Sequence, residues 1–432
     1  MRTILPAAAL LSAAIASPAL AQDQDGALAA EVAAMRAKIE ALEAKVKELQ
    51  GGPKAETPSW KGAPQFTDKK SGWSFKPRGR LQFDVGNVES PEGVQDRGLG
   101  FASEVRRARL GVEGTIPGGF GYKFEADFAD NDIEVADALL SYDAAKGLGL
   151  VVGQHNNFQS LEEVTSSRFL SFMERAAFTD AFGFERRLGL SATFSQGDVL
   201  ASFGAFTDNV GDLADDENNA RSFDGRLVYL PRLGETQLHF GGSAHFRDNN
   251  DIAGAARYRQ RPFVHTTDTR FLATPSLRVE KETSYGLEFA AIRGPFHATG
   301  EAHWLRPSLL SGGDTPSFFG GYAEVGYYLT GETRGYKAGQ FDRTKVRKPV
   351  GEGGLGAVQV NLRYDHLDLS SGAIRGGIQN GYAASLVWIP QDYVRFLLNY
   401  ARLGYDDAAI AASGGDRNYA IDVWGARAQV DF

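Results

Sequence analysis

The chain has 432 residues with 51 glycines and no cysteine, and its 46 basic and 54 acidic side chains give a formal charge of −8. An acidic balance argues against general nucleic-acid binding, and the absence of thiols excludes disulfides and thiolate metal centres. No apolar run of about eighteen residues follows the N-terminus, which excludes a bundle of membrane-spanning helices.

Residues 1–21 read as a secretory signal, with Arg2 as its positive start, Ile4 to Ala16 as its apolar core and Ala19-Leu20-Ala21 as an A-x-A-like cleavage site. Cleavage there leaves 45 basic against 54 acidic residues. Leu28, Val32, Met35, Ile39, Leu42, Val46 and Leu49 then recur at alternating steps of four and three. That spacing is a heptad seam, so residues 22–50 are expected to hold a short coiled coil. The alternative is a single helix lying on another surface. Val and Ile at a with Leu at d favour two strands, in conflict with the three-fold assembly considered below. Gly51-Gly52-Pro53 ends the helix, and residues 51–72, with Pro53, Pro58 and Pro64, read as a polar linker.

From residue 73 to the end, segments of period two alternate with turn residues. The last fifteen residues show the pattern most clearly. Ala420, Trp424, Ala426, Ala428, Val430 and Phe432 share one face, interrupted by Asp422, while Arg427, Gln429 and Asp431 share the other with Ile421, Val423 and Gly425. A strand of this length, apolar on one side and polar on the other, suits a closed transmembrane barrel. Strands are expected near 74–85, 103–115, 119–129, 133–143, 147–155, 186–195, 198–207 and 220–231. The second half adds 236–247, 284–293, 296–306, 318–330, 355–368, 380–390, 392–404 and 417–432. The fold class is therefore all-β, a sixteen-stranded antiparallel transmembrane β-barrel preceded by a short coiled-coil helix. An even strand count places both barrel ends on the periplasmic side, with short turns there and long loops outside. The connection Gly331 to Gly354 is long where a short turn is expected.

After position 77 the chain carries thirty arginines and six lysines. Arginine presents a fixed fork of donors that matches phosphate and carboxylate oxygens, and it is weakly hydrated for a cation. Alternation puts Arg80, Arg107, Arg109, Arg187, Arg226, Arg363, Arg395 and Arg427 on the lumen face, where rings of positive charge make an anion pore. Loop 248–283 adds Arg257, Arg259 and Arg261 at alternate positions, about 7 Å apart in an extended segment, and then Arg270. Loop 156–185 adds Arg168 and Arg175, and its length suits a segment folded inward. Each arginine has a plainer reading as well: pairing across the lumen with Glu113, Glu125, Asp127 or Asp224, or contact between an outer loop and lipopolysaccharide.

Other clusters carry less. His297 and His303 flank Glu301, and His239 and His245 share another strand, but six-residue spacing on a strand is too wide to chelate one ion. Asp212–Glu217 could hold divalent cations, although a solvated loop tip is the commoner role of such a run. There is no Gly-x-Ser-x-Gly elbow, and nothing calls for a cofactor, a metal or an enzymatic reaction.

Several short motifs resemble the phosphate-selective porin family of O and P type. They include Arg106-Arg107-Ala108-Arg109-Leu110 and Leu161-Glu162-Glu163-Val164-Thr165-Ser166-Ser167-Arg168. Phe172-Met173-Glu174-Arg175, Arg186-Arg187-Leu188-Gly189 and Tyr328-Leu329-Thr330-Gly331-Glu332 belong to the same set. So do Arg363-Tyr364 with Leu367-Asp368-Leu369, and the ending Arg427-Ala428-Gln429-Val430-Asp431-Phe432. The resemblance covers most of the chain from about residue 74. It implies a homotrimer of sixteen-stranded barrels passing phosphate or other small anions across the outer membrane. It also implies inward-folded loops at 156–185 and 248–283 and an inward-folded periplasmic turn, which would account for Gly331 to Gly354 with Arg343, Lys345, Arg347 and Lys348. Arg106, Arg107 and Asp137 become the constriction candidates, although alternation turns Arg106 away from the lumen. The family also uses lysines of the third loop for phosphate, whereas this chain has none between Lys146 and Lys281, which points to a broader anion preference. Two rivals stay open. One is a general or carbohydrate porin, and the other is a tether whose coiled coil reaches the cell wall.

Overall fold

The computed structural model describes residues 21–51, 58–129, 132–214, 220–249 and 255–432. The expected signal segment, except Ala21, lies outside them, as do residues 52–57 of the expected linker and 215–217 of the acidic run. The chain divides into two units, residues 1–57 and 58–432.

Among the described residues, the first unit holds one helix, α1 (Ala21–Gly51). Its alanine, glutamate, lysine and leucine content favours helix throughout, and the Gly51-Gly52-Pro53 sequence removes that preference. The helix leaves its apolar stripe in the open, with Val32 43% and Leu42 62% exposed.

The second unit is a closed antiparallel barrel. Its strands begin with β1 (Ser74–Val88), β2 (Gly100–Ile116), β3 (Phe120–Asp127) and β4 (Glu134–Ala145). Next come β5 (Leu148–Asn156), β6 (Arg186–Gln196), β7 (Val199–Phe206) and β8 (Arg221–Tyr229). The other half holds β9 (Thr236–Asp248), β10 (Leu277–Arg293), β11 (Phe296–Leu309) and β12 (Phe318–Tyr328). It ends with β13 (Ala357–Asp368), β14 (Ile378–Gln391), β15 (Val394–Asp406) and β16 (Tyr419–Asp431). Each strand pairs with its sequence neighbours, and β16 closes on β1 in a register from Val423↔Val88 to Asp431↔Arg80. The ring of Phe432 fills the place a side chain at Gly79 would need, and the two residues exchange backbone hydrogen bonds of 3.2 and 3.0 Å. Residues 59–67, expected as linker, form a short antiparallel ladder, Ser59–Lys61 on Ala63–Thr67, that continues onto β1 at Phe66↔Phe75.

Side-chain placement inverts that of a soluble protein. Trp424 is 56% exposed on the outer wall while Asp431 is fully buried inside, as expected where lipid takes the apolar face. The lumen is not empty. Residues 157–185 fold into it, carrying α2 (Leu161–Val164) and α3 (Ala177–Ala181). Phe172, Phe178, Phe182 and Phe184 of this segment pack with Phe263 and Phe271 of the 249–276 loop. The inward faces of Leu305, Leu367, Leu403, Ile421 and Val423 complete that core. This explains why β16 has apolar residues on its lumen side: they meet protein there rather than water. From the short-turn end, residues 329–356 fold inward as a hairpin, Gly335–Lys337 on Gln340–Asp342. Phe341 of the hairpin packs with Leu161, Ala290 and Ile292.

Candidate functional site: the arginine-lined lumen

All eight strand arginines point inward, and most of them hold protein in place. Arg427 of β16 donates to both oxygens of Asp84 at 2.7 and 2.6 Å and reaches the inward loop at the Met173 carbonyl (2.6 Å) and Glu174 (2.8 Å). Arg363 of β13 pairs with Glu324 at 2.7 Å and with Glu162 of α2, between the rings of Phe172 and Tyr322. Arg395 donates to the carbonyls of Arg168 and Leu170. Arg80 donates to Ser167 Oγ at 2.6 Å and lies 3.6 Å from Glu125. Arg226 pairs with Glu288 at 2.6 Å and donates to the Gly339 carbonyl of the inward hairpin at 3.0 Å. The remaining three stay near the wall: Arg107 on Gln82 (2.9 Å), Arg109 on Asp127 (2.7 Å) and Arg187 on Glu185 (3.3 Å). The pairing of Arg109 with Asp127 matches the plainer reading of these residues.

The expectation that Arg106 turns away from the lumen is corrected. The β1–β2 ladder shifts register between Gln82 and Phe83, where Gln82 faces Arg107 and Phe83 faces Val105. A β-bulge adds one residue to a strand without a partner and resets which face each side chain takes. Arg106 is that residue, so both Arg106 and Arg107 enter the lumen. The Arg106 guanidinium grips Glu174 of the inward loop with two bonds, 3.0 and 3.1 Å. Asp137 also faces inward, between Lys123 and Arg186 (3.0 Å).

Between the inward loop and the wall lies a polar cavity of about 260 Å3. Arg106, Arg175, Arg186, Arg261 and His265 line it together with Glu134, Glu163, Glu174, Asp180 and Glu185. Arg175 reaches Glu163 at 3.2 Å and bonds the carbonyls of Glu162, Glu163 and Thr165, bracing its own loop. In the 249–276 loop, Arg257, Arg259 and Arg261 alternate with buried Tyr258 and Gln260, as expected for an extended segment. Arg257 donates to the Thr274 carbonyl, Arg261 pairs with Asp268 (2.7 Å), and Arg270 donates to the Asp268 carbonyl. Arg168 stacks over Phe169 and lies 3.7 Å from Asp431. Arg343 bonds Asp431 over the Tyr393 ring, whereas Lys345, Arg347 and Lys348 are exposed on the same turn. The four histidines singled out in the sequence are each taken up by a carboxylate: His239 by Glu288, His245 by Asp224, His297 by Glu324 and His303 by Glu301.

Sequence reading missed Arg186, Arg78 and the loop carboxylates. Arg78 lies two residues before Arg80 on the same face and pairs with Glu113, so period two alone would have found it. Arg186 opens β6 next to Arg187, and alternation assigns only one of two neighbouring residues to the lumen.

Burial raises the carboxyl of Glu163 above the ordinary range, against the pull of Arg175, Arg186, Arg107 and Arg109. Its proton is therefore taken up above about pH 4.3, where an ordinary glutamate titrates. Protonation removes a negative charge beside Arg175, so anion conductance is expected to rise as pH falls through that window. Glu163→Gln should show the low-pH conductance throughout, and a wild-type conductance that does not rise as the pH is lowered toward about 4.3 would contradict this.

A closed sixteen-stranded barrel with a loop folded into a charged lumen defines an outer-membrane porin, a channel rather than a catalyst. The family model described as phosphate-selective porin O and P matches residues 75–432, and the chain belongs to that family. An uncharacterized protein of Caulobacter vibrioides is 48% identical over 383 residues, 87% of this chain and 77% of its own. Porin O of Pseudomonas aeruginosa is 26% identical over 333 residues, 70% of this chain and 74% of its own. Among solved structures, an anion-selective porin from Comamonas acidovorans aligns with a TM-score of 0.52 at 16% identity, covering 83% of this chain and all of that one.

Proposed function

We propose that this porin, as a homotrimer, passes small anions by diffusion, with inorganic phosphate or phosphorylated small solutes as the favoured cargo. The observation that carries the reading is the guanidinium set Arg106, Arg175, Arg186 and Arg261 around one narrow polar cavity. The cavity also holds five acids, but Glu174 is engaged by Arg106 and Arg427, Glu163 by Arg175 and Glu185 by Arg187. A guanidinium has five donors and a carboxylate uses two of them, so the paired arginines keep donors for a passing oxyanion. The mechanism is electrostatic: fixed donors replace the water an anion sheds at the narrow point, and weak binding at each step lets it leave. Glu162 and Glu163 stand in the loop that carries no lysine, so phosphate is the favoured cargo without being the sole anion passed.

Titrating phosphate into chloride while recording current across a planar bilayer tests the cargo. Block at low phosphate concentration is the expected result. Anion current without such block would keep the pore and discard phosphate as the favoured cargo.

A further inference from the structure

Among the described residues of its own unit, nothing covers the apolar seam of the helix α1. Leu28, Val32, Met35, Ile39, Leu42 and Val46 are 43–62% exposed. Their spacing sets Val32, Ile39 and Val46 at heptad position a and Leu28, Met35 and Leu42 at d. A stripe of six large apolar side chains on a helix in water calls for a partner. The charges beside the stripe identify it. In this heptad frame Glu31, Lys38 and Lys45 fall at g, and Arg36 and Glu43 fall at e. In a parallel, in-register coil each g residue faces the e residue five places further along the neighbouring helix. Glu31 then meets Arg36 of the neighbouring copy, and Lys38 meets Glu43 of the neighbouring copy, opposite charges in both cases. Parallel alignment is also what the membrane demands, because every barrel enters it with the same end leading.

We propose that the seam of α1 is covered by the same helix of two further copies, in a parallel, in-register three-helix coil. The number three rests on the trimeric reading above, since Val and Ile at a with Leu at d by themselves favour two strands. Such a coil holds the barrels of one assembly at high effective concentration without any contact between their walls.

Because the chain has no cysteine, single-cysteine variants of the full-length protein report the geometry cleanly. Met35→Cys and Leu42→Cys, at d, should cross-link into covalent pairs under mild oxidation, and a three-armed maleimide should capture three chains. Ala44→Cys, at f on the opposite side, should cross-link far less. Lys38→Glu should slow cross-linking at Leu42→Cys about fivefold, with about three g–e pairs turned repulsive, and adding Glu43→Lys should restore it. Equal cross-linking at positions 42 and 44, or no response to Lys38→Glu, would overturn the coil. Capture that stops at two chains while the barrel migrates as a trimer on native gels would overturn the three-helix arrangement. Three-chain capture from barrels that otherwise migrate as monomers would support the coil and sink the trimeric reading of the barrel.

Discussion

Replacing Arg363 by methionine should release the loop folded into the lumen and widen the channel. Arg363 is buried, with Nε at 3.2 Å and Nη2 at 2.7 Å from Glu324 and Nη2 also on Glu162. Phe172 and Tyr322 sandwich it, each ring 4.5 Å away. Without it two carboxylates lose their shared counter-charge in a poorly solvated place. Arg334 at 3.1 Å and His297 at 3.6 Å still serve Glu324, but the acid left short is Glu162 on the loop. Removing one partner of a buried ion pair costs roughly 3–5 kcal/mol, and that loss falls on the inward docking of residues 157–185. The barrel wall does not share that loss, since its strands hold each other through the backbone ladder. The expected result is therefore a folded barrel with larger and noisier single-channel conductance and new protease cleavage within residues 157–185. An unchanged conductance would show that the aromatic core around Phe172 and Phe178 holds the loop alone.

The second large effect is on selectivity. Arg106→Glu changes the charge at the cavity wall by two units and sets a carboxylate against Glu174. At an effective dielectric near 20, one unit charge about 5 Å from a passing ion is worth roughly 3 kcal/mol before salt screening. The anion-to-cation permeability ratio should then fall by at least about tenfold. Arg402→Ala serves as the control, because Arg402 lies on the outer wall, paired with Asp422 at 2.9 Å, and its loss should leave selectivity as it is. An Arg106→Glu channel with unaltered selectivity would place the ion path elsewhere in the lumen.

All sixteen barrel strands could be read from the sequence, because lipid on one side and packed lumen on the other enforce period two over long stretches. Some ends were read short and others long: the strand expected at 318–330 stops at Tyr328, whereas β10 begins at Leu277 rather than near residue 284, where its outward residues turn polar. The ladder at residues 59–67 was hidden by Pro58 and Pro64, which read as breaks. Arg106 was misplaced because a bulge shifts alternation by one residue, and nothing local announces it. The role of the strand arginines as brackets was not visible either. Arg427 and Asp84 are 343 positions apart, and Arg363 and Glu162 are 201 apart, and no periodicity relates residues across such distances. What could be read was the surplus of arginine over lysine and the side of each strand on which it falls.

The central claim is that the lumen favours anions, and the reversal potential of the purified protein in a planar bilayer under a KCl gradient tests it most directly. The arginines around the inward loop predict a potential displaced toward the chloride equilibrium value. A potential displaced toward that of potassium would mean that Glu134 and Asp180 outweigh the guanidiniums, contradicting the arginine path and leaving a general porin.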